Sequence, residues 1–419
     1  MISSEQIQSE INIGLVGHVD HGKTTLTEQL TGKWTDTHSE EIKRGITIRL
    51  GYADAEFRKC PKCDDPECYT TKKICAICGS NTDLLRRVSF VDAPGHDSLM
   101  ATMLSGARIM DGALLLIAVN EECPQPQTRE HLMGLEMSGI KNVVVVQNKI
   151  DIVTKDKAEN NYHQIKKFLK GTHYENCPII PISAQHGINI DLLIKTIQEY
   201  IPTPVRSQTD TPMMIVARSF DINKPGISVK ELKGGVLGGS IISGRLKVGD
   251  EIEIRPGRVV TENNQIIAKP IFTRITGLMA WNTNLDELGP GGSIAVMTDL
   301  DPSIIKGDSL AGNVVSHPGK LPKIWYELEL ETHLLERVVG LKNELKVEVI
   351  KPGEMLMFNI NSSKSVGLVT NISKNIVNCK LKIPICANIG DKVTISRRIE
   401  TRFRLIGYGI IKEKHYDKK

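Results

Sequence analysis

Aromatic residues are scarce: 7 Phe, 8 Tyr and 3 Trp make up 4 % of a 419-residue chain. A surface that binds nucleic acid mainly by stacking bases on rings is therefore not expected. No apolar run approaches the roughly 18 residues a membrane-spanning helix needs. The polar stretch Met1 to Gln8 has no apolar leader core, so a cytoplasmic chain without membrane contact is expected. Charge of one sign is not in large excess. A net charge of +4 is too weak to make the whole surface attract polyanions, and contact with nucleic acid has to use a local patch. Nine cysteines, unevenly placed, are too few for a disulfide framework at this length, and four of them pair as CxxC. A reducing compartment and one metal site fit better. Repeats and low-complexity tracts are also missing. What remains is ordinary globular composition, 40 % hydrophobic and 24 % charged, at a length that favours about two or three domains.

The chemistry begins at Gly17-His18-Val19-Asp20-His21-Gly22-Lys23-Thr24, which fits GxxxxGK[ST] and follows the apolar run Ile11, Ile13, Leu15, Val16. Two glycines let the backbone turn tightly so that N–H groups face phosphate oxygens. Lys23 can reach the β- and γ-phosphates, and the Thr24 hydroxyl is placed for Mg²⁺. A helix expected over Thr24 to Leu30 adds its positive end. Asp20, His21, Gly22, Lys23, Thr24 and Thr25 are thus the candidate phosphate contacts. The base is read at Asn148-Lys149-Ile150-Asp151. A carboxylate at Asp151 pairs with the N1 and 2-amino donors of guanine, a pair that adenine lacks. Asn148 would touch the base edge or brace the loop, the Lys149 stem would cover the base, and Ser183, Ala184 and Gln185 would close the pocket. Asp92-Ala93-Pro94-Gly95-His96 puts a carboxylate where a metal's water can be held and the Gly95 N–H where a γ-phosphate would sit. His96 is positioned to orient an attacking water. Arg44-Gly45-Ile46-Thr47 lies in a polar, helix-poor stretch, and Thr47 is a second Mg²⁺ ligand that only the γ-phosphate would order.

Around these motifs, from Glu10 to about Tyr200, continuous apolar runs (Val88–Val91, Ala113–Val119, Val143–Val146, Ile179–Ile182) alternate with helix-length segments such as Gln127–Ser138 and Lys155–Lys170. Continuous rather than alternating apolar strands imply a parallel α/β sheet covered on both faces, with ligands at its carboxyl edge. Ile201-Pro202-Thr203-Pro204 stops the last helix. Beyond it, short β-branched runs such as Ile215–Ala217, Gly235–Ser243 and Ile252–Ile254 are broken by Gly and Pro, as in β-barrels. A second break falls at His317 to Pro322. The expected layout is an α/β P-loop domain over 1–204, then two mainly antiparallel β-barrel domains over 205–322 and 323–419.

GHVDHGKT, RGITI, DAPGH and NKID together resemble a translational GTPase of the elongation factor Tu class, whose members also carry two barrels after the G domain. The resemblance implies GTP and GDP as ligands, and Mg²⁺ on Thr24 and Thr47 with Asp92 in its outer shell. It also implies a catalytic set of His96, Asp20 and Thr47, with Val19 and Ile46 as an apolar gate. In the nearest subfamily Asp20 and the Gly45 carbonyl can hold a second Mg²⁺, and an acidic residue facing phosphates does call for a cation. Cys60-Pro61-Lys62-Cys63 and Cys75-Ala76-Ile77-Cys78, in an insertion at about 57–84, present two CxxC turns. Those suit tetrahedral Zn²⁺, with Cys68 a bystander. Such an insertion resembles the gamma subunit of archaeal and eukaryotic initiation factor two, as do Pro124 to His131, Arg218 to Gly226 and Leu334 to Gly340. That family implies partners: alpha and beta subunits on the second and first domains, methionylated initiator tRNA, and the small ribosomal subunit with its mRNA. It implies delivery of the tRNA, with hydrolysis driving release. A selenocysteine-specific elongation factor, or a scaffold that binds GTP without turning it over, are the alternatives.

Overall fold

The computed structural model describes residues 7–35, 50–94, 100–223, 226–338, 345–400 and 402–413. Residues 9–205 form one compact unit, and residues 206–419 with the first eight form another.

In the first unit, β1 (Ile11–Gly17) is buried at every position and leads through the phosphate-loop motif into α1 (Lys23–Thr31). Next come β2 (Gly51–Lys59), β3 (Tyr69–Thr70) and β4 (Asp83–Asp92), then α2 (Met100–Ala107), β5 (Gly112–Ala118) and α3 (Pro126–Met137). They are followed by β6 (Asn142–Asn148), α4 (Lys155–Leu169), β7 (Ile179–Pro181) and α5 (Ile190–Tyr200). The sheet order is β3-β2-β4-β1-β5-β6-β7. Strands β4, β1, β5, β6 and β7 pair in parallel. Ile13, Leu15, Leu114, Leu116, Val144 and Val146 pack one core with Leu26 and Leu30 of α1 and Leu193 and Ile197 of α5. The expectation of a wholly parallel sheet needs correction, because β2 runs antiparallel to β4 and to β3. The chain returns from β2 to β4 through the cysteine insertion without a crossover helix, and a connection of that kind forces antiparallel pairing. β2 shows the accompanying pattern, with burial alternating along Ala53, Ala55 and Phe57.

The second unit holds two barrels. The first contains β8 (Met213–Phe220), β9 (Val236–Ser243), β10 (Leu246–Lys247), β11 (Glu251–Glu262), β12 (Gln265–Ala280), β13 (Thr283–Leu285), β14 (Glu287–Leu288), β15 (Ile294–Thr298) and β16 (Val314–Ser316). The ring β11-β16-β8-β9-β15-β12 closes through pairing of β11 with β12, with β13 added on β12 and β10 paired with β14. Strands β11 and β12 run 12 and 16 residues, longer than the short runs expected. Pro256 and Gly277 do not end them. The register shifts there, between Ile254 and Arg258 and between Ile275 and Gly277, and such bulges bend a strand rather than stop it. Asn263 and Asn264, with φ of 49° and 60°, make the tight turn between the two strands.

The second barrel is a closed ring of β17 (Ile324–Leu334), β18 (Met355–Ile360), β19 (Ser363–Ser373), β20 (Ile376–Cys386), β21 (Lys392–Ile399) and β22 (Arg402–Ile411), in the order β17-β20-β19-β18-β21-β22. Leu328, Leu330, Leu356, Phe358, Val393 and Ile395 fill it. The joint between the barrels sets hydrogen bonds beside a small apolar cluster of Val314, Leu321, Cys386 and Met213. Arg255 donates to the carbonyls of Leu321 and Pro322 at 3.0 Å. Glu253, 1 % exposed, accepts from Arg255 at 2.6 Å and from the Gly319 N–H at 2.8 Å. Tyr326 accepts from the Ala268 N–H at 3.0 Å. No helix among the described residues is long and apolar enough to cross a membrane.

Candidate functional site

The phosphate loop sits at the carboxyl end of β1, between α1 and the ends of β4 and β5. Asp20 and Gly22 are both left-handed, with φ of 62° and 89°. A Cβ at Gly22 would lie 2.3 Å from the Asn148 amide nitrogen, so only glycine lets that side chain approach. Asn148 Nδ2 donates to the His21 carbonyl at 2.9 Å, and its Oδ1 accepts from the Ala184 N–H at 3.0 Å. Of the two roles expected for Asn148, the geometry has it tying the phosphate loop to the loop after β7. Lys23 is nearly buried and its Nζ donates to the carbonyls of Gly17 and His18 at 3.0 and 2.8 Å, across the mouth of the loop. Asp20 is exposed. The His21 ring, in contrast, turns into the core: Nδ1 meets the Leu116 carbonyl at 2.9 Å and Nε2 meets Glu121 at 3.3 Å. Burial lowers its pKa to about 4. It is therefore neutral at pH 7 and leaves only its backbone on the loop side.

Asp92 is fully buried at the end of β4. Its Oδ2 accepts from the Thr24 hydroxyl at 3.0 Å and from the Thr35 hydroxyl at 2.7 Å. An array of hydroxyl and carboxylate oxygens suits a hard cation. Thr35 escaped the sequence reading, since a threonine after a helix carries no motif. At the other end of the site, Asp151 follows Lys149, whose φ is 69°. A hydrogen bond from the buried Ser183 holds the Asp151 carboxyl below its ordinary range, with His186 adding to the effect. His186 Nε2 is 3.6 Å from Asp151, a neighbour that only the fold reveals. Gly45, Ile46, Thr47, Gly95 and His96 lie outside the described residues.

The cysteines of the two CxxC turns converge. Sulfurs of Cys60 and Cys78 are 3.4 Å apart, those of Cys63 and Cys75 are 3.6 Å apart, and all four lie within 4.8 Å of one another. A tetrahedral Zn²⁺ with Zn–S bonds of about 2.3 Å sets its ligands about 3.8 Å apart, so the donor set fits. The second turn is built by backbone bonds from Cys75 N–H to the Ser80 carbonyl and from Gly79 N–H to the Cys75 carbonyl, both 2.9 Å. Ser80 brings the Cys78 thiol down to about 6, and the N–H groups of Cys78 and Ile77 lower Cys75. Both shifts favour the thiolate a metal needs. Cys63 shifts upward through its bonds to Cys75 and Cys78, because its proton serves them. The buried Cys68 thiol is raised by desolvation, while its backbone carbonyl accepts from Cys60. Lys195 of α5 reaches Asp65 at 2.7 Å and holds the insertion against the domain.

Residues 8–203 match the family model of the elongation factor Tu GTP binding domain, 234–311 that of elongation factor Tu domain 2, and 326–411 that of initiation factor eIF2 gamma, C terminal. Translation initiation factor 2 subunit gamma of Pyrococcus horikoshii is 59 % identical over 406 residues, 97 % of this chain and 98 % of that protein. The protein of the same name from Methanocaldococcus jannaschii is 61 % identical over 404 residues, 96 % and 98 % of the two chains. The chain belongs to the gamma-subunit family of translation initiation factor 2. It is a GTPase of protein synthesis with a G domain and two closed six-stranded barrels. The crystal structure of a bacterial selenocysteine-specific elongation factor superposes with a TM-score of 0.72 at 24 % identity, covering 96 % of this chain and 58 % of that one. Elongation factor SelB of Methanococcus maripaludis with the GTP analogue GPPNHP gives 0.70 at 22 %, covering 99 % and 81 %. At those identities the likeness is one of fold.

Within this family frame the described residues bring together the phosphate loop, Asp92, the Asn148–Asp151 turn and the Ser183–Ala184 backbone at one sheet edge. The cysteine cluster follows the far end of β2, where Lys59 pairs with Asp83, away from the edge where Gly51 pairs with Asp92. His131, Glu121, Thr35 and His186 are the neighbours that sequence reasoning missed. Of these His131 and Thr35 lay inside noted segments, and nothing in their spacing told that the His131 ring reaches the phosphate loop or that the Thr35 hydroxyl reaches Asp92.

Proposed function

We propose that this chain carries methionylated initiator tRNA to the small ribosomal subunit and its mRNA in a GTP-dependent manner, and that GTP hydrolysis drives release. It would act as the gamma subunit of a heterotrimer with alpha and beta subunits in the cytoplasm. The observation that carries this reading is identity near 60 % along almost the whole chain to proteins named translation initiation factor 2 subunit gamma, joined to a C-terminal match particular to that factor. The domain limits proposed for these tasks are 1–204, 205–322 and 323–419, with the cysteine insertion at about 57–84.

At the site, Asp20 to Thr25 would receive the phosphates, with Lys23 moving from the carbonyls of Gly17 and His18 to phosphate oxygens. Asp151 would take the guanine N1 and 2-amino groups, the Lys149 stem would cover the base, and Ser183, Ala184 and Gln185 would close the pocket. Mg²⁺, when bound, supplies charge neutralisation at the phosphates. Thr24 and Thr47 would hold it, Asp92 would hold its water, and Asp20 with the Gly45 carbonyl would take a second ion. Thr47 and Gly95 would sense the γ-phosphate, and His96 would orient the attacking water. Cys60, Cys63, Cys75 and Cys78 would hold Zn²⁺. Phosphates of the tRNA would be met by local basic surface, for which Arg218, Lys224, Lys233, Arg397, Arg398, Arg402 and Arg404 are candidates. Arg218 is partly engaged by Asp308 at 2.9 Å and Arg397 by Glu354, which makes the exposed Lys233 and Arg398 the better ones. The test is filter binding of charged initiator, elongator and selenocysteine tRNAs by the complete heterotrimer, with GTP analogue and with GDP. Selective, salt-weakened binding of the initiator with the GTP analogue is expected. Equal affinity in the two nucleotide states would sink the switch.

A further inference from the structure

The imidazole of His131 is completely buried on α3, beneath the phosphate loop. The Gly17 N–H donates to its Nδ1 at 2.8 Å. Gly17 is the last residue of β1 and the first of the loop, so its N–H sits at the boundary where sheet pairing gives way to the phosphate cradle. An Nδ1 that accepts is unprotonated, and the ring proton is therefore on Nε2. That Nε2 has no acceptor among the described residues. A buried donor without a partner opposes folding, and a side chain present only to fill space would not introduce one. The accepting nitrogen is what the position uses.

We propose that His131 is a positioning residue for nucleotide binding, and that its Nδ1 fixes the orientation of the first peptide of the phosphate loop. The assignment rests on the nucleotide site described above. Without nucleotide Gly17 is held from two sides, because its carbonyl accepts from Lys23 Nζ at 3.0 Å while its N–H is bound by His131; once Lys23 turns to the phosphates, the bond to His131 is left to hold this peptide. No larger residue fits at this position, since a Cβ there would lie 2.5 Å from the Leu116 carbonyl. The same Leu116 carbonyl takes His21 Nδ1. Rotation of the Gly17 peptide would therefore disturb the phosphate-binding lysine and the loop backbone together. Without the acceptor, the Gly17 N–H is buried and unpaired, the loop samples other peptide orientations, and bound nucleotide leaves faster. Burial, with Lys23, His18 and His21 adding to it, keeps the ring neutral, so the acceptor is available throughout the physiological range.

The test measures release of a fluorescent GDP analogue from the full chain by stopped flow, with melting temperature recorded for each variant. Asn carries its Oδ1 where histidine carries Nδ1, so His131→Asn keeps an acceptor at that point. His131→Leu fills the space with none, and His131→Gln moves the acceptor outward to the Nε2 position. Release about tenfold faster is expected for Leu and Gln, the size of one lost buried hydrogen bond, with Asn near the parent. A packing role predicts the reverse order, since Leu restores apolar volume better than Asn. Equal release from Leu and parent, or release from Asn as fast as from Leu, would overturn the proposal. Should Leu fail to fold, the Gln and Asn pair decides by the same comparison. A parent chain that binds no GDP analogue would instead remove the nucleotide assignment on which the proposal stands.

Discussion

At the residue scale, charge placement governs the site. Asp151 is kept ionised by Ser183 and His186, which suits an acceptor for two guanine donors. Asp151→Asn should weaken GTP binding by about 2–4 kcal/mol, the range for losing a charge-assisted bond that the bound base would cover, as read by equilibrium filter binding. Unchanged affinity would refute the guanine contact. His131 gives a pH prediction. Burial lowers its pKa from 6.5 to about 3, so below pH 6.5 the unfolded chain takes up a proton that the folded chain refuses. Stability from this group is full above pH 6.5 and falls with acidification, by about 1.4 kcal/mol per pH unit well below that value. Between pH 6 and 5, denaturant titrations of the parent should lose stability more steeply than those of His131→Asn by up to one proton, and parallel slopes would contradict a neutral buried ring.

Elements show how local rules and tertiary demands divide the work. Pro126 opens α3 where its missing N–H does no harm. The C-terminus of α5 has no glycine cap. Instead Arg86, reaching across from β4, donates to the carbonyls of Ile197 and Ile201 at 3.0 and 2.8 Å, a use of a cation at a helix end that sequence spacing does not signal. The cysteine insertion is an element too small to bury a core of its own: Cys60, Cys68 and Cys75 are its buried apolar residues, with Cys63 and Tyr69 against them. A metal held by the four sulfurs would supply the rest. One zinc per chain should be found by elemental analysis, and Cys60→Ser with Cys63→Ser should remove it and make the 57–84 segment susceptible to protease while the remainder stays resistant. A full zinc complement in that double variant would overturn the assignment.

For the whole molecule, the two barrels share one compact unit, tied by Glu253, Arg255 and the 317–322 connection. A fragment of residues 206–419 should unfold in one cooperative transition by calorimetry. Arg255→Ala, which removes the donor to the Leu321 carbonyl and one of two donors to that of Pro322, should lower its melting temperature or split the transition in two. Two separated transitions in the parent fragment would mean that the barrels are independent.

The local chemistry of this protein was written in its residues. Phosphate cradling needs glycines, a lysine and a hydroxyl within one turn of chain, and metal binding needs paired thiolates. Both are short-range demands, so GHVDHGKT, NKID and the CxxC pairs are readable before any fold. Strand and helix positions were also legible, because continuous apolar runs and helical spacing reflect burial. Tertiary structure decided what depends on distant backbone. It set the antiparallel return of β2 through the cysteine insertion, and the bulges that let β11 and β12 run on past Pro256 and Gly277. It brought Thr35 to Asp92, His186 to Asp151, Arg86 to the end of α5, and His131 to Gly17. Each of these joins residues far apart in sequence, and a hydrogen bond or ion pair between such groups leaves no periodicity or spacing in the chain, because only the folded geometry brings the partners within reach of one another.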